Sequence, residues 1–260
     1  MRTSSKVALA TASIIASASS ASLVAGEIAI VGFQASGTPS DSIAFAALSN
    51  IAAGTVIYFT DNGWTGSAFR GVSATDSDGN ENLMKFTVGA GGLAAGSIVS
   101  SVSTNSALGT WTLSGSVGTG TSLFQQLSLS STGEQVTAFV STNATNPMFS
   151  GFTALYSFDN TGAYENATSS GTGSLAPGLV GGTSAVLLSG GQNYAVFNFA
   201  AFGGAADAAT WLARMGDAAN WTTGTSTTSM VDGSFSVIPA PGAAALIGLA
   251  GLLAMRRRNA

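Results

Sequence analysis

The apolar residues of this chain come in runs too short for helices. EIAIVGF (27–33), SIAFAAL (42–48), TVIYFT (55–60), EQVTAFV (134–140) and FTALYSF (152–158) are six or seven residues long. An amphipathic helix needs roughly ten or more residues of sustained 3.6-residue spacing, whereas a strand needs about four to eight. Glycine separates the runs: the chain carries 34 glycines, four of them between Gly89 and Gly96. Such a stretch is costly inside a regular element, because glycine loses the most backbone freedom on ordering. One passage, Ala205 to Gly216, spaces Ala206, Ala209, Leu212 and Ala213 as a helix does. The pattern predicts an all-β fold, an antiparallel immunoglobulin-like β-sandwich with one short helix.

Further strands are expected at Leu83–Val88, Ser97–Val102, Ser184–Leu188 and Tyr194–Phe199, with a short one around Trp111–Leu113. Ser122–Leu129 reads as a strand or a brief helical turn. Asn220–Gly224 reads as the end of the helix, and Ser234–Val237 as a closing strand. TVIYFT is the clearest strand. It ends in Asp61-Asn62-Gly63-Trp64, where Asn-Gly supplies a tight turn and the tryptophan can cover an open sheet end.

Both ends carry targeting features. Arg2 and Lys6 precede the weakly apolar Val7–Ala18, and small residues offer cleavage after Ala21 or near Gly26. Residues 1–25 are therefore expected to be a signal peptide. At the other end, VIPAPGAAALIGLAGLLAMRRRNA (237–260) begins with a proline pair that breaks any preceding strand. The uncharged run Gly242–Met255 spans about 21 Å as a helix, against roughly 30 Å of hydrocarbon. Val237–Pro241 and the arginine stems can extend it, and three arginines favour the cytoplasmic side. A transmembrane helix is the expectation, and a buried terminal helix is the alternative.

Pro239, Ala240 and Pro241, the apolar segment, and Arg256, Arg257 and Arg258 together resemble the PEP-CTERM sorting signal of Gram-negative exported proteins. Members commonly carry Pro-Glu-Pro where this chain has Pro-Ala-Pro. The resemblance covers residues 237–260 and implies a route. The partners would be the export machinery and a membrane sorting protease. The chain would be held transiently in the inner membrane and cut near the prolines. It would then pass to the cell surface or beyond, often into an exopolysaccharide matrix.

A second resemblance lies in residues 26–150. Ile28–Phe33, IAAGTVIYFTDNGW (51–64), Leu93-Ala94-Ala95-Gly96-Ser97 and LSLSSTGEQVTAFV (127–140) follow an order similar to that of lamin-tail-like domains. Those are immunoglobulin-like sandwiches that serve as accessory or interaction modules. Residues 151–236 would then be a β-rich extension or a second lobe.

Charge and composition exclude several functions. Residues 26–236 hold all twelve acidic side chains and only Arg70, Lys85 and Arg214 as bases, a formal charge of −9. Such a surface repels phosphate backbones, so no nucleic-acid partner is expected. Cysteine and histidine are absent, which excludes disulfides, thiolate or imidazole metal sites, and catalysis through Ser-His-Asp or Cys-His.

Two polar segments remain as candidates. Asp76, Asp78, Asn80 and Glu81 can aim oxygens at a calcium ion from one loop, or form a solvated loop of Asx-type turns. Asp61, Asn62 and Trp64 can form a polar pocket with an aromatic platform for a sugar ring, or simply pack. Twelve carboxylates could supply a glycosidase pair, but no spacing among them selects one. The expectation is an exported, non-enzymatic surface or matrix protein with a structural or adhesive role and no cofactor beyond calcium. The alternatives are a carbohydrate-binding module or a two-carboxylate glycoside hydrolase.

Overall fold

The computed structural model describes residues 22–36, 41–70, 82–116, 123–165, 172–224 and 230–239. The acidic loop with Asp76, Asp78, Asn80 and Glu81 lies outside these residues. So do most of the expected signal peptide and the chain beyond Pro239, with Ala240, Pro241, Arg256, Arg257 and Arg258.

The chain begins with β1 (Ile28–Gln34), β2 (Ser42–Ala47), β3 (Val56–Thr60), β4 (Leu83–Val88) and β5 (Ser97–Ser100). Short strands follow, β6 (Gly109–Thr112), β7 (Ser114–Ser116) and β8 (Leu123–Gln125), then β9 (Gln135–Ser141) and β10 (Phe152–Asp159). Next come β11 (Ala185–Leu187), β12 (Tyr194–Phe197) and β13 (Ala206–Asp207), which leads directly into α1 (Ala208–Gly216). The last strands are β14 (Trp221–Gly224), β15 (Gly233–Ser234) and β16 (Val237–Ile238).

They form two large sheets. The first has the order β14-β12-β1-β2-β5-β15, and the second β11-β10-β9-β3-β4-β8-β7 with β6 also on β4. Strands from after residue 150 enter both sheets, β10 and β11 in the second and β12, β14 and β15 in the first. The long pairings are antiparallel, as expected, but β10–β11, β4–β8 and β13–β16 are parallel. A parallel pair needs a long connection to bring the chain back in the same direction. Residues 160–184 supply one between β10 and β11.

One core joins the sheets. Ile28, Ile30 and Phe33 of β1 and Phe45 of β2 meet Phe59 of β3, Phe86 of β4 and Phe158 of β10. Period-2 alternation would not put Ile30 and Phe33 on one face. A register shift between Ile30 and Gly32 inserts an extra residue and turns Phe33 inward. β10 uses the same device. Phe152 and Ala154 face an outer cluster, and a shift between Ala154 and Tyr156 sends Tyr156 and Phe158 into the main core. The second sheet is therefore covered on both faces. Its outer cluster gathers Tyr58, Trp64, Phe69, Leu83, Phe139 and Met148.

Three local readings change. The helix starts at Ala208, because residues 206 and 207 pair with β16, and Asp207 caps it by accepting from Thr210 N–H at 2.7 Å. Asn220–Gly224, expected to be only a helix end, contains β14 in full register with β12. Asn220 and Gly224 carry the turn signal, yet Trp-Thr-Thr between them has strong strand preference. The single closing strand splits into β15 and β16 around Phe235, whose ring packs 4.8 Å from that of Trp211 on α1. Phe235 N–H donates to Gly96 carbonyl at 2.9 Å. Gly96 has a φ of +92°, and a Cβ there would lie 2.0 Å from Phe235 carbonyl oxygen, so only glycine fits. Among the described residues, no helix is long and apolar enough to cross a membrane.

Candidate functional site

The residues expected to contact sugar lie at the end of β3. Asp61 is fully buried, and its two carboxylate oxygens accept from the backbone N–H groups of Asn82 and Ser128, each at 2.6 Å. Asn62 is also fully buried and donates through Nδ2 to Thr60 Oγ1 at 2.8 Å and to Asn82 carbonyl at 3.3 Å. The Trp64 ring is wedged edge-on between Phe69 and Phe152, with centroids 5.2 and 5.4 Å away. The three residues come together as an interior plug that joins β3 to the start of β4 and to the segment after β8. Both Asp61 oxygens are taken up by backbone amides, Asn62 Oδ1 is buried without a hydrogen-bond partner among the described residues, and the Trp64 ring is packed against its neighbours.

Burial has an electrostatic cost there. Removal from water pushes the Asp61 carboxyl up to about 6, although the amides of Ser128 and Asn82 pull it down and nearby Asp41 adds a little repulsion. Asp159, at the end of β10, is likewise lifted to about 6 by burial, against donors from Thr161. Its Oδ1 accepts from Thr161 N–H and Oγ1–H, both at 2.7 Å, and its buried Oδ2 has no hydrogen-bond partner among the described residues. Among the described residues, no group of acidic side chains is gathered so as to hold a metal ion.

A different tryptophan borders open space. A cleft of about 440 Å³ lies between the β5–β6 connection, β6 and the Gln126 segment. Trp111 of β6 forms one wall. Its ring packs inward on Phe86, Phe59 and Phe45 at 4.9, 5.4 and 6.1 Å, yet the residue stays partly exposed. The indole Nε1–H donates to Ser100 carbonyl at 2.9 Å, which fixes the ring. Buried Met84 of β4 forms the floor, and Leu113 and Val102, both more than a third exposed, form apolar margins. Exposed Thr104, Ser106 and Thr110 place hydroxyls around it, and Gln126 adds an amide.

The walls are held from a distance. Asp232 accepts from Ser100 N–H at 2.9 Å and from the Ser103 hydroxyl, which pins the loop after β5. Gln126 is held by Asn82 Nδ2, which donates to its carbonyl at 2.7 Å, and by its own Nε2–H, which donates to Asp41 carbonyl at 3.3 Å. Asp61 fixes Asn82 and Ser128, so it supports this cleft from behind. The sequence does contain a signal for the site: Trp111 is the lone aromatic within the hydroxyl-rich stretch SSVSTNSALGTWT (100–112).

Pro239 is exposed and directly follows β16. Compared with known proteins, the chain matches no family model, no curated protein and no solved structure.

Proposed function

We propose that this is an exported, non-enzymatic protein of the cell surface or extracellular matrix with a structural or adhesive role, processed through a C-terminal sorting signal. The observation that carries this reading is the position of the last described strand. Val237 and Ile238 pair with Ala206 and Asp207, and the exposed Pro239 follows at once. In sequence, the rest of the proline motif, the apolar run and the arginines follow this last described strand, which is already paired, and that order supports a sorting signal appended to a β unit. The two facing sheets are consistent with an all-β sandwich, and its assignment to the lamin-tail-like kind rests on the sequence resemblance alone.

The N-terminal side favours the earlier of the two cleavage positions. Leu23 is 6% exposed and belongs to the main core, and Gly26 N–H donates to Leu155 carbonyl at 2.9 Å. A cut near Gly26 would forfeit the burial of Leu23, worth about 1.5–3 kcal/mol, whereas a cut after Ala21 keeps it.

Intact-mass analysis of the protein from membrane, surface and medium fractions of its native cells tests the reading. The expected product starts at Ser22, ends near Pro239–Pro241 and lies in the surface or medium fraction. A chain that still reaches Arg258 and stays in the membrane fraction would overturn it.

A further inference from the structure

We infer that the Trp111 cleft binds a neutral saccharide, with a sugar ring resting on the indole and its hydroxyls paired with those of the cleft. This deepens the adhesive reading above and rests on it. A hexose ring has an apolar C–H face and a rim of hydroxyls, each of which is both donor and acceptor. The cleft offers the complement: a flat aromatic surface with apolar margins at Leu113 and Val102, ringed by Thr104, Ser106, Thr110 and Gln126. Serine and threonine hydroxyls can reverse their donor and acceptor roles to match a sugar's. The volume of about 440 Å³ lies within the range of small-ligand clefts.

Rigidity adds to the match. Trp111 is clamped by Ser100 carbonyl and by the rings behind it, so little side-chain freedom remains to be lost on binding. Asp232 holds the facing loop in the same way. Charge selects the class of sugar. Among the described residues, none that lines the cleft carries a charge, and the surrounding body is strongly acidic. Uronic-acid and phosphate polymers are therefore repelled at long range and find no cation in the cleft.

Calorimetric titration of the full chain tests the assignment. The probes are glucose hexamers with β-1,4, α-1,4 and β-1,3 links, a mannose hexamer, a galacturonate hexamer and a proline-rich decapeptide. At least one neutral hexamer is expected to bind saturably, and galacturonate and peptide are not. Trp111→Ala should weaken that binding roughly tenfold, in line with loss of an aromatic contact, and Trp111→Phe should restore part of it. Because Trp111→Ala also removes core packing, Ser106→Trp provides a second variant that fills the cleft from an exposed position. It should abolish binding without moving the melting temperature. The inference is overturned if no neutral hexamer binds, if Ser106→Trp binds normally, or if galacturonate or the peptide is preferred. Any of these would leave the sorting route intact, since fractionation tests that separately.

Discussion

Trp64, just after β3, and Trp111, on β6, belong to the surroundings of one sheet and lead opposite lives. Trp64 follows a strand, a tight turn and two polar residues, a setting that reads as a binding platform. In the fold, Phe69 and Phe152 close on its ring, and the oxygens of Asp61 are taken up by backbone amides. Trp111 sits on a short strand among glycines and serines. It keeps part of its surface on a cleft while its other side joins the core. A tryptophan beside a carboxylate is thus no better a guide to a ligand than one among hydroxyls. What decides is whether long-range packing seals the ring or leaves it open.

The largest test of this contrast is truncation of each ring. Trp64→Ala should cost about 3–5 kcal/mol in denaturant unfolding, as for a fully packed aromatic. Any protein that remains folded should bind the neutral hexamer normally. Trp111→Ala should cost less, because Trp111 stays partly exposed whereas Trp64 is buried, and should lose binding. Equal stability losses with binding lost in both would erase the distinction.

Acidity separates the two regions next. Asp61 and Asp159 titrate near 6 in the fold against 3.8 for the ordinary carboxyl. The folded state therefore favours their protonated forms. Their contribution to stability is fully present below about pH 4 and is lost as pH rises through 6. Each group should make the fold less stable at pH 8 than at pH 4 by on the order of 3 kcal/mol. Urea unfolding across that range checks the slope, and Asp159→Asn should remove about half of it. Among the described residues no titratable side chain lines the Trp111 cleft, so saccharide affinity should stay flat from pH 5 to 8 while stability falls. Affinity that follows the stability curve would show that ionisation of Asp61 reaches the cleft through Asn82 and Gln126, beyond the support it gives them.

A smaller effect is expected from Asp232→Ala. It removes the acceptor for Ser100 N–H and the Ser103 hydroxyl and should cost about 1.5–3 kcal/mol, the range for hydrogen bonds to a charged group. Saccharide binding should weaken while the surroundings of Trp64 stay unchanged, a combination that near-ultraviolet circular dichroism and calorimetry can check together.

Much of the fold was legible because it is local. TVIYFT and EQVTAFV announce strands by composition and alternation, and the helix announces itself by spacing. The bulges in β1 and β10 were hidden, since nothing local marks the residue that the partner strand leaves unpaired. β14 was missed because Asn220 and Gly224 signal a turn more loudly than Trp-Thr-Thr signals a strand. The cleft was the least visible. Its walls come from β4, β6 and the loop after β5, and the carboxylate that fixes that loop lies 129 residues from Ser103. The burial of Asp61 was equally non-local, because its two donors sit 21 and 67 residues away.

The most direct test of the contrast is fluorine NMR of the full chain with its four tryptophans replaced by 5-fluorotryptophan. Single Trp→Phe variants assign the resonances, and a neutral hexamer that binds in calorimetry is then added. The Trp111 resonance should shift saturably while that of Trp64 stays fixed. A shift at Trp64 with none at Trp111 would contradict the assignment and return the sugar site to Asp61, Asn62 and Trp64.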